Sequence, residues 1–141
     1  MTPGDQRLAD ALRAEHAAIY GYGVVGAHLG SAVELAYVAE QAHRGRRDAL
    51  LVRLASKGVS APPAEPGYAL PFAVPDRPAA LALAVTIEDR CAAIWRLVLP
   101  DTTGDERRLG LAALVDCATR ATRLRKAAGT APLTVVFPGK S

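Results

Sequence analysis

Apolar residues recur at alternating intervals of three and four along four stretches of the chain, as they do in helices that bury one face. In the first stretch the buried stripe reads Leu8, Leu12, Glu15, Ile19, Tyr22, Gly26 and Leu29. In the second it reads Val33, Ala36, Glu40, His43, Arg47, Leu50 and Leu54. The third carries Leu81, Ala84, Glu88, Cys91, Trp95 and Val98, and the fourth Leu111, Leu114, Ala118, Ala121 and Leu124. Start and stop residues bracket each stretch. Asp5 is the expected N-cap of a helix over about 5–29, which Gly30 ends. Ser31 and Glu34 form a capping-box pattern for a second helix over about 31–57, closed by Gly58. Asp76 with Pro78 opens a third helix over about 76–99, and a fourth covers about 103–128 before Gly129. Residues 130–141 read as an extended tail that packs on the bundle or on a second subunit.

The connections predict the topology. The first two helices meet at a turn of almost no length, and so do the last two, which makes each pair an antiparallel hairpin. The link over 59–75 holds Pro62, Pro63, Pro66, Pro71 and Pro75 and loses all periodicity. Extended at roughly 3.3 Å per residue, it reaches on the order of 55 Å. A helix of about 25 residues is about 38 Å long, so the link can cross the whole bundle. Two antiparallel hairpins joined by one long crossover form the ferritin-like arrangement of an all-α four-helix bundle. At 141 residues the chain fits one such domain, over 1–141.

Three of the four stripes carry a carboxylate near the helix middle. Antiparallel neighbours of similar length have their middles at one height, so Glu15, Glu40, His43 and Glu88 are expected to converge. Buried carboxylates need positive charge, protons or a metal. Di-iron bundles meet this need with one glutamate from each of two helices and Glu-x-x-His from each of the other two. Glu40-Gln-Ala-His43 is one such motif, with Glu15 and Glu88 as the lone glutamates. The fourth helix departs from the pattern. It offers Asp116-Cys-Ala-Thr119, without a histidine and on the expected solvated face beside Arg120 and Arg123. Arg47 lies one turn from His43, where its guanidinium can fork onto buried glutamates; Arg44 is the second such candidate, and Tyr22 a hydrogen-bonding partner. Two readings follow for Glu15, Glu40, His43 and Glu88. One is a site for iron or manganese. The other is a degenerate metal site held by internal cations.

The run Ala14-Glu15-His16-Ala-Ala-Ile-Tyr20-Gly-Tyr22-Gly-Val-Val-Gly26, the stretch His43-Arg-Gly-Arg-Arg47-Asp48, the crossover Tyr68-Ala-Leu-Pro-Phe72 and the closing Phe137-Pro-Gly resemble a bacterial ferritin-like family of unknown function. The resemblance covers essentially the whole chain. It implies a ferritin-like bundle and assigns no activity.

Composition narrows the remaining classes. Half the residues are hydrophobic and 5% are aromatic, which favours close helix packing through alanine. No apolar run approaches the ~20 residues of a membrane span. The amino terminus reads Met-Thr-Pro-Gly-Asp-Gln-Arg and has no secretory pattern, so a cytoplasmic location with free thiols at Cys91 and Cys117 is expected. Both cysteines face inward by helical phase. The net charge of +3 permits nucleic-acid contact without arguing for it, and the arginines at 44, 46, 47, 53, 120, 123 and 125 have little aromatic interleaving. The expected function is that of a non-enzymatic bundle acting by self-association, as a homodimer, or through a protein partner. A metal-binding protein or weak metal-dependent oxidase is the second class, and an RNA- or nucleotide-associated protein the third.

Overall fold

The computed structural model describes residues 1–140. Among them it holds four long helices and no strand: α1 Pro3–Gly26, α2 Val33–Ser56, α3 Arg77–Val98 and α4 Gly104–Ala128. Helix α1 starts before Asp5 because Thr2 is its cap. The Thr2 hydroxyl accepts the Asp5 amide at 3.1 Å, and the Asp5 carboxylate accepts the Thr2 amide at 3.0 Å. The reciprocal bond expected between Ser31 and Glu34 does not form. Gly30–Ala32 make a single 3-10 turn, and α2 begins after Ala32 with no side-chain cap. Asp76 caps α3 by accepting the Ala79 amide at 3.0 Å. Gly129 ends α4 with φ of +70°, a left-handed position that glycine takes without steric cost.

Contacts at the helix ends set the directions. Lys57, just past α2, pairs with Asp5 at the start of α1, so α1 and α2 are antiparallel. Gly4 lies against the Asp101 carbonyl just past α3, while Gly21 lies against Ile87 nearer the start of α3. Helices α1 and α3 are therefore antiparallel too, and the crossover runs the length of the bundle. The order is up, down, down, up, in a four-helix bundle of two hairpins.

Backbone packing joins α1 to α2, α1 to α3, and α3 to α4. Gly110 lets α4 approach α3, because a Cβ there would stand 3.1 Å from a Leu99 methyl and 3.3 Å from one of Val98. The inward face of α4 is consequently Gly110, Ala113, Cys117, Ala121 and Leu124. Leu111, expected inside, is 53% exposed. Close approach selects the small residues for the interface and turns the larger ones out. The tail touches α3 through Pro138, whose carbonyl accepts from Arg96 at 3.3 Å, while Val136 and Phe137 stay exposed. Ser141 lies outside the described residues.

Replacing Asp76 with alanine is expected to cost about 1 kcal/mol in urea unfolding, the usual loss for an N-cap. Ser31→Ala is expected to stay within about 0.5 kcal/mol. An equal loss at both positions would contradict the caps described.

Candidate functional site

The polar centre of the bundle is built at mid-height from all four helices. Helix α1 brings Glu15 and Tyr22, α2 His43 and Arg46, α3 Glu88 and Trp95, and α4 Asp116 and Arg120. Glu15, His43 and Glu88 have no solvent exposure. The His43 ring lies between the two glutamates. Its Nδ1 is 2.5 Å from Glu15 Oε2, and its Nε2 is 2.8 Å from Glu88 Oε2.

A ring with an ionised carboxylate on each nitrogen donates from both, which only the imidazolium form can do. Burial opposes that charge, but the hydrogen bonds to Glu15 and Glu88 more than reverse it and push the His43 pKa up to about 10. Burial likewise disfavours the Glu88 carboxylate, and His43 and Arg120 together hold it below its ordinary range.

The remaining acceptors are also used. Glu15 Oε1 accepts from the Trp95 indole at 2.7 Å and has Arg46 at 3.7 Å. Glu88 Oε2 accepts from the Tyr22 hydroxyl at 3.0 Å, and its Oε1 from Arg120 at 2.9 Å. Burial and Glu88 raise the Tyr22 pKa, so its phenol keeps the proton it donates. Arg46 and Arg120 then meet on Asp116, at 2.5 Å and 2.9 Å. Three carboxylates (Glu15, Glu88, Asp116) face three cations (His43, Arg46, Arg120), and their formal charges cancel. No buried side-chain nitrogen or oxygen of this network lacks a partner.

Cys91 and Cys117 are both buried and free. A hydrogen bond to Cys117, and burial, raise the Cys91 pKa, which keeps it a protonated and unreactive thiol. One donor atom each of Glu15, His43 and Cys91 lie within 4.8 Å of one another.

The structure thus brings together Glu15, His43, Glu88 and Tyr22, and leaves three expected members outside. Glu40 pairs with Arg44 one turn along α2, at 2.7 Å, and both are partly exposed. Arg47 pairs with Asp48 at 2.9 Å. Glu40 and Arg47 flank His43 by three and four residues, which rotates them to the edge of the stripe while His43 takes its centre. Arg46 enters instead, on the edge that faces α4. Asp116 and Arg120 are not on a fully solvated face; they line the α2–α4 gap, and the long Arg120 side chain reaches inward. Trp95 was legible as core, and a buried indole N–H implies an acceptor. Nothing in the apolar spacing marked Arg46 or Arg120. His16, half-buried, lies 3.2 Å from the Pro62 carbonyl and tethers the crossover. His28 is half-buried, with its Nδ1 3.0 Å from the Val24 carbonyl.

The fold and centre define a class, an all-α bundle closed around a charge-balanced core. The chain belongs to the family described as Domain of unknown function (DUF4439), whose model matches residues 7–141. It is similar to a solved structure titled "Crystal structure of a conserved hypothetical protein, rv2844, from Mycobacterium tuberculosis". The two are 40% identical with a TM-score of 0.88, over 96% of this chain and 97% of that one. No curated protein matches the chain.

Arg46→Ala is expected to destabilise by about 3–5 kcal/mol, the cost of removing one partner of a buried ion pair. Arg47→Ala should change stability by about 0.5 kcal/mol or less. Chemical unfolding of both variants checks the contrast, and the reverse order would refute it. His43 supplies a pH prediction. Its ordinary value is 6.5 and its folded value about 10, so its stabilisation is complete below 6.5 and is lost as pH rises through 10. The thermal midpoint should fall as pH rises across that window, and nitrogen NMR should find His43 doubly protonated at pH 8. A neutral His43 ring at that pH contradicts the network.

Proposed function

We propose that this protein is a ferritin-like bundle with a degenerate metal site, in which internal cations take the place of metal ions, and that it acts by self-association. One observation carries the reading: the two His43 nitrogens lie 2.5 Å and 2.8 Å from the carboxylates of Glu15 and Glu88 that a metal ion would need, the spacing of an imidazolium that donates to both. A metal-binding histidine must offer a bare nitrogen. Glu40 on the helix surface, and Arg120 where the fourth helix would supply a ligand, also fit a di-metal centre poorly. The second reading is a single iron or manganese ion at Glu15, His43 and Cys91, favoured by their mutual approach within 4.8 Å. It requires His43 and the Cys91 thiol each to release a proton and at least one of the His43 carboxylate bonds to open.

The surface of α2 supports self-association. Leu35, Val38, Ala42, Gly45, Ala49 and Val52 recur at intervals of 3, 4, 3, 4 and 3 along α2. This is a heptad seam, and α1 packs on the other side of the helix. The spacing reads the same in both directions. Two copies set antiparallel therefore place Leu35 against Val52 and Val38 against Ala49, with Ala42 and Gly45 at the closest approach. The nucleic-acid reading loses support because Arg44, Arg46, Arg47, Arg53, Arg120 and Arg125 each already hold an acid of this chain. No helix among the described residues is long and apolar enough to cross a membrane.

Elemental analysis of protein purified without chelator, then titration with ferrous iron and manganese, tests the core. Substoichiometric metal, equal in wild type and His43→Gln, is the expected result; one ion per chain lost in that variant sinks the proposal. Light scattering should find a dimer that Val38→Glu with Val52→Glu converts to a folded monomer. A monomeric wild type would refute the self-association.

A further inference from the structure

A cavity of about 440 Å³ lies between α1, α3 and the crossover, on the side of α1 away from the α2 seam. Its size is that of a small-molecule site. Helix α1 lines it with Ala14, Ala17 and Gly21; Ile87 of α3 packs directly on Gly21, and the short side chains of Ala14 and Ala17 border the open space beside it. Helix α3 lines it with Leu83, Ile87 and Ile94, and the crossover closes it with Tyr68 and Leu70. The cover is held in place from two directions. The Tyr68 ring packs on Tyr20 with centroids 5.6 Å apart, and its hydroxyl accepts the Glu65 amide at 2.9 Å. The two stretches Ala14–Gly26 and Tyr68–Phe72, singled out as motifs in the sequence, supply most of these walls. The ionic core uses only Glu15 and Tyr22 from them.

The walls are apolar, and one cation stands at the rim. Arg90 is exposed, lines the cavity, and has no acid partner among the described residues. The α3 wall from Leu83 to Ile94 runs about 16 Å at the helical rise of 1.5 Å per residue. A volume of about 440 Å³ spread along about 16 Å leaves a mean cross-section of roughly 27 Å², so the space is longer than it is wide. A long apolar slot suits an unbranched hydrocarbon chain better than a broad ring system. A guanidinium at its rim suits a carboxylate, which it can bind through two parallel hydrogen bonds.

We propose that this cavity binds an unbranched aliphatic carboxylate, with the hydrocarbon along α3 under Tyr68 and Leu70 and the carboxylate on Arg90. None of Glu15, His43, Glu88, Arg46, Arg120 and Asp116 lines the cavity; Cys91 alone borders both the cavity and the core.

Calorimetric titration of the full chain with hexanoate, octanoate and decanoate, with decanol as the uncharged control, tests this. Affinity is expected to rise about fourfold per added methylene. Decanoate is expected to bind about tenfold more tightly than decanol, as a charged hydrogen bond allows. Arg90→Gln, an exposed change, should erase the difference between acid and alcohol. Ala17→Leu should fill the slot and abolish decanoate binding while the thermal midpoint is kept. No binding to wild type, or a chain-length series without slope, overturns the proposal without need of any variant. Equal binding of acid and alcohol by wild type, or decanoate binding unchanged in a folded Ala17→Leu protein, overturns it as well.

Discussion

The rest of the core depends on one interaction, the imidazolium of His43 held between the carboxylates of Glu15 and Glu88. It joins three helices at one height, with contacts of 2.5 Å and 2.8 Å. Each group would be costly to bury alone. Together they leave one surplus negative charge, which calls for cations from elsewhere. Arg46 and Arg120 supply them, and because two guanidiniums over-correct, Asp116 completes the balance at the α2–α4 gap. Each partner follows from the need to keep the dry interior neutral and every lone pair engaged. A network of this kind also fixes register, since sliding any helix by one turn would leave a charge unpaired.

In the reading proposed above, the same arithmetic lets internal cations stand in for a metal. A divalent ion and an imidazolium can answer the same electrostatic demand, but they place opposite requirements on the histidine nitrogens. Once both nitrogens carry protons, the carboxylates orient toward them and toward Tyr22, Trp95 and the arginines. On that proposal, interaction with other molecules falls to the apolar seam of α2 and to the cavity under the crossover.

Small residues set the geometry of both. Gly110 brings α4 onto α3, and the short side chains of α1 keep open the slot that the crossover roofs. The crossover is thus more than a connection; tethered at Pro62 by His16 and at Tyr68 by Tyr20, it is the lid of the cavity.

The four helices and their arrangement as two hairpins joined by a long crossover were legible in the sequence, whereas the Thr2 cap of α1, its end at Gly26 and the uncapped start of α2 were not. Periodicity, glycine stops and the length of the proline-rich link depend on local physics and chain reach alone. The inward position of Glu15, His43 and Glu88 was legible for the same reason, because each lies at the centre of its stripe. The sequence by itself therefore determined that His43, Glu15 and Glu88 would be buried together and would need positive charge, and it counted Glu40 among them, which the structure leaves at the helix edge with Arg44. It did not determine where that charge comes from. Glu40 and Arg47 lie on the flanks of the His43 stripe, where a rotation of the helix by a fraction of a turn decides between core and surface. Arg46 and Arg120 sit on edges that helical phase treats as solvated, and a long flexible side chain reaches past such an edge only when a neighbouring helix shelters it. Only the tertiary structure, by setting the α2–α4 gap and closing α4 onto α3 through Gly110, decided that these two arginines complete the core.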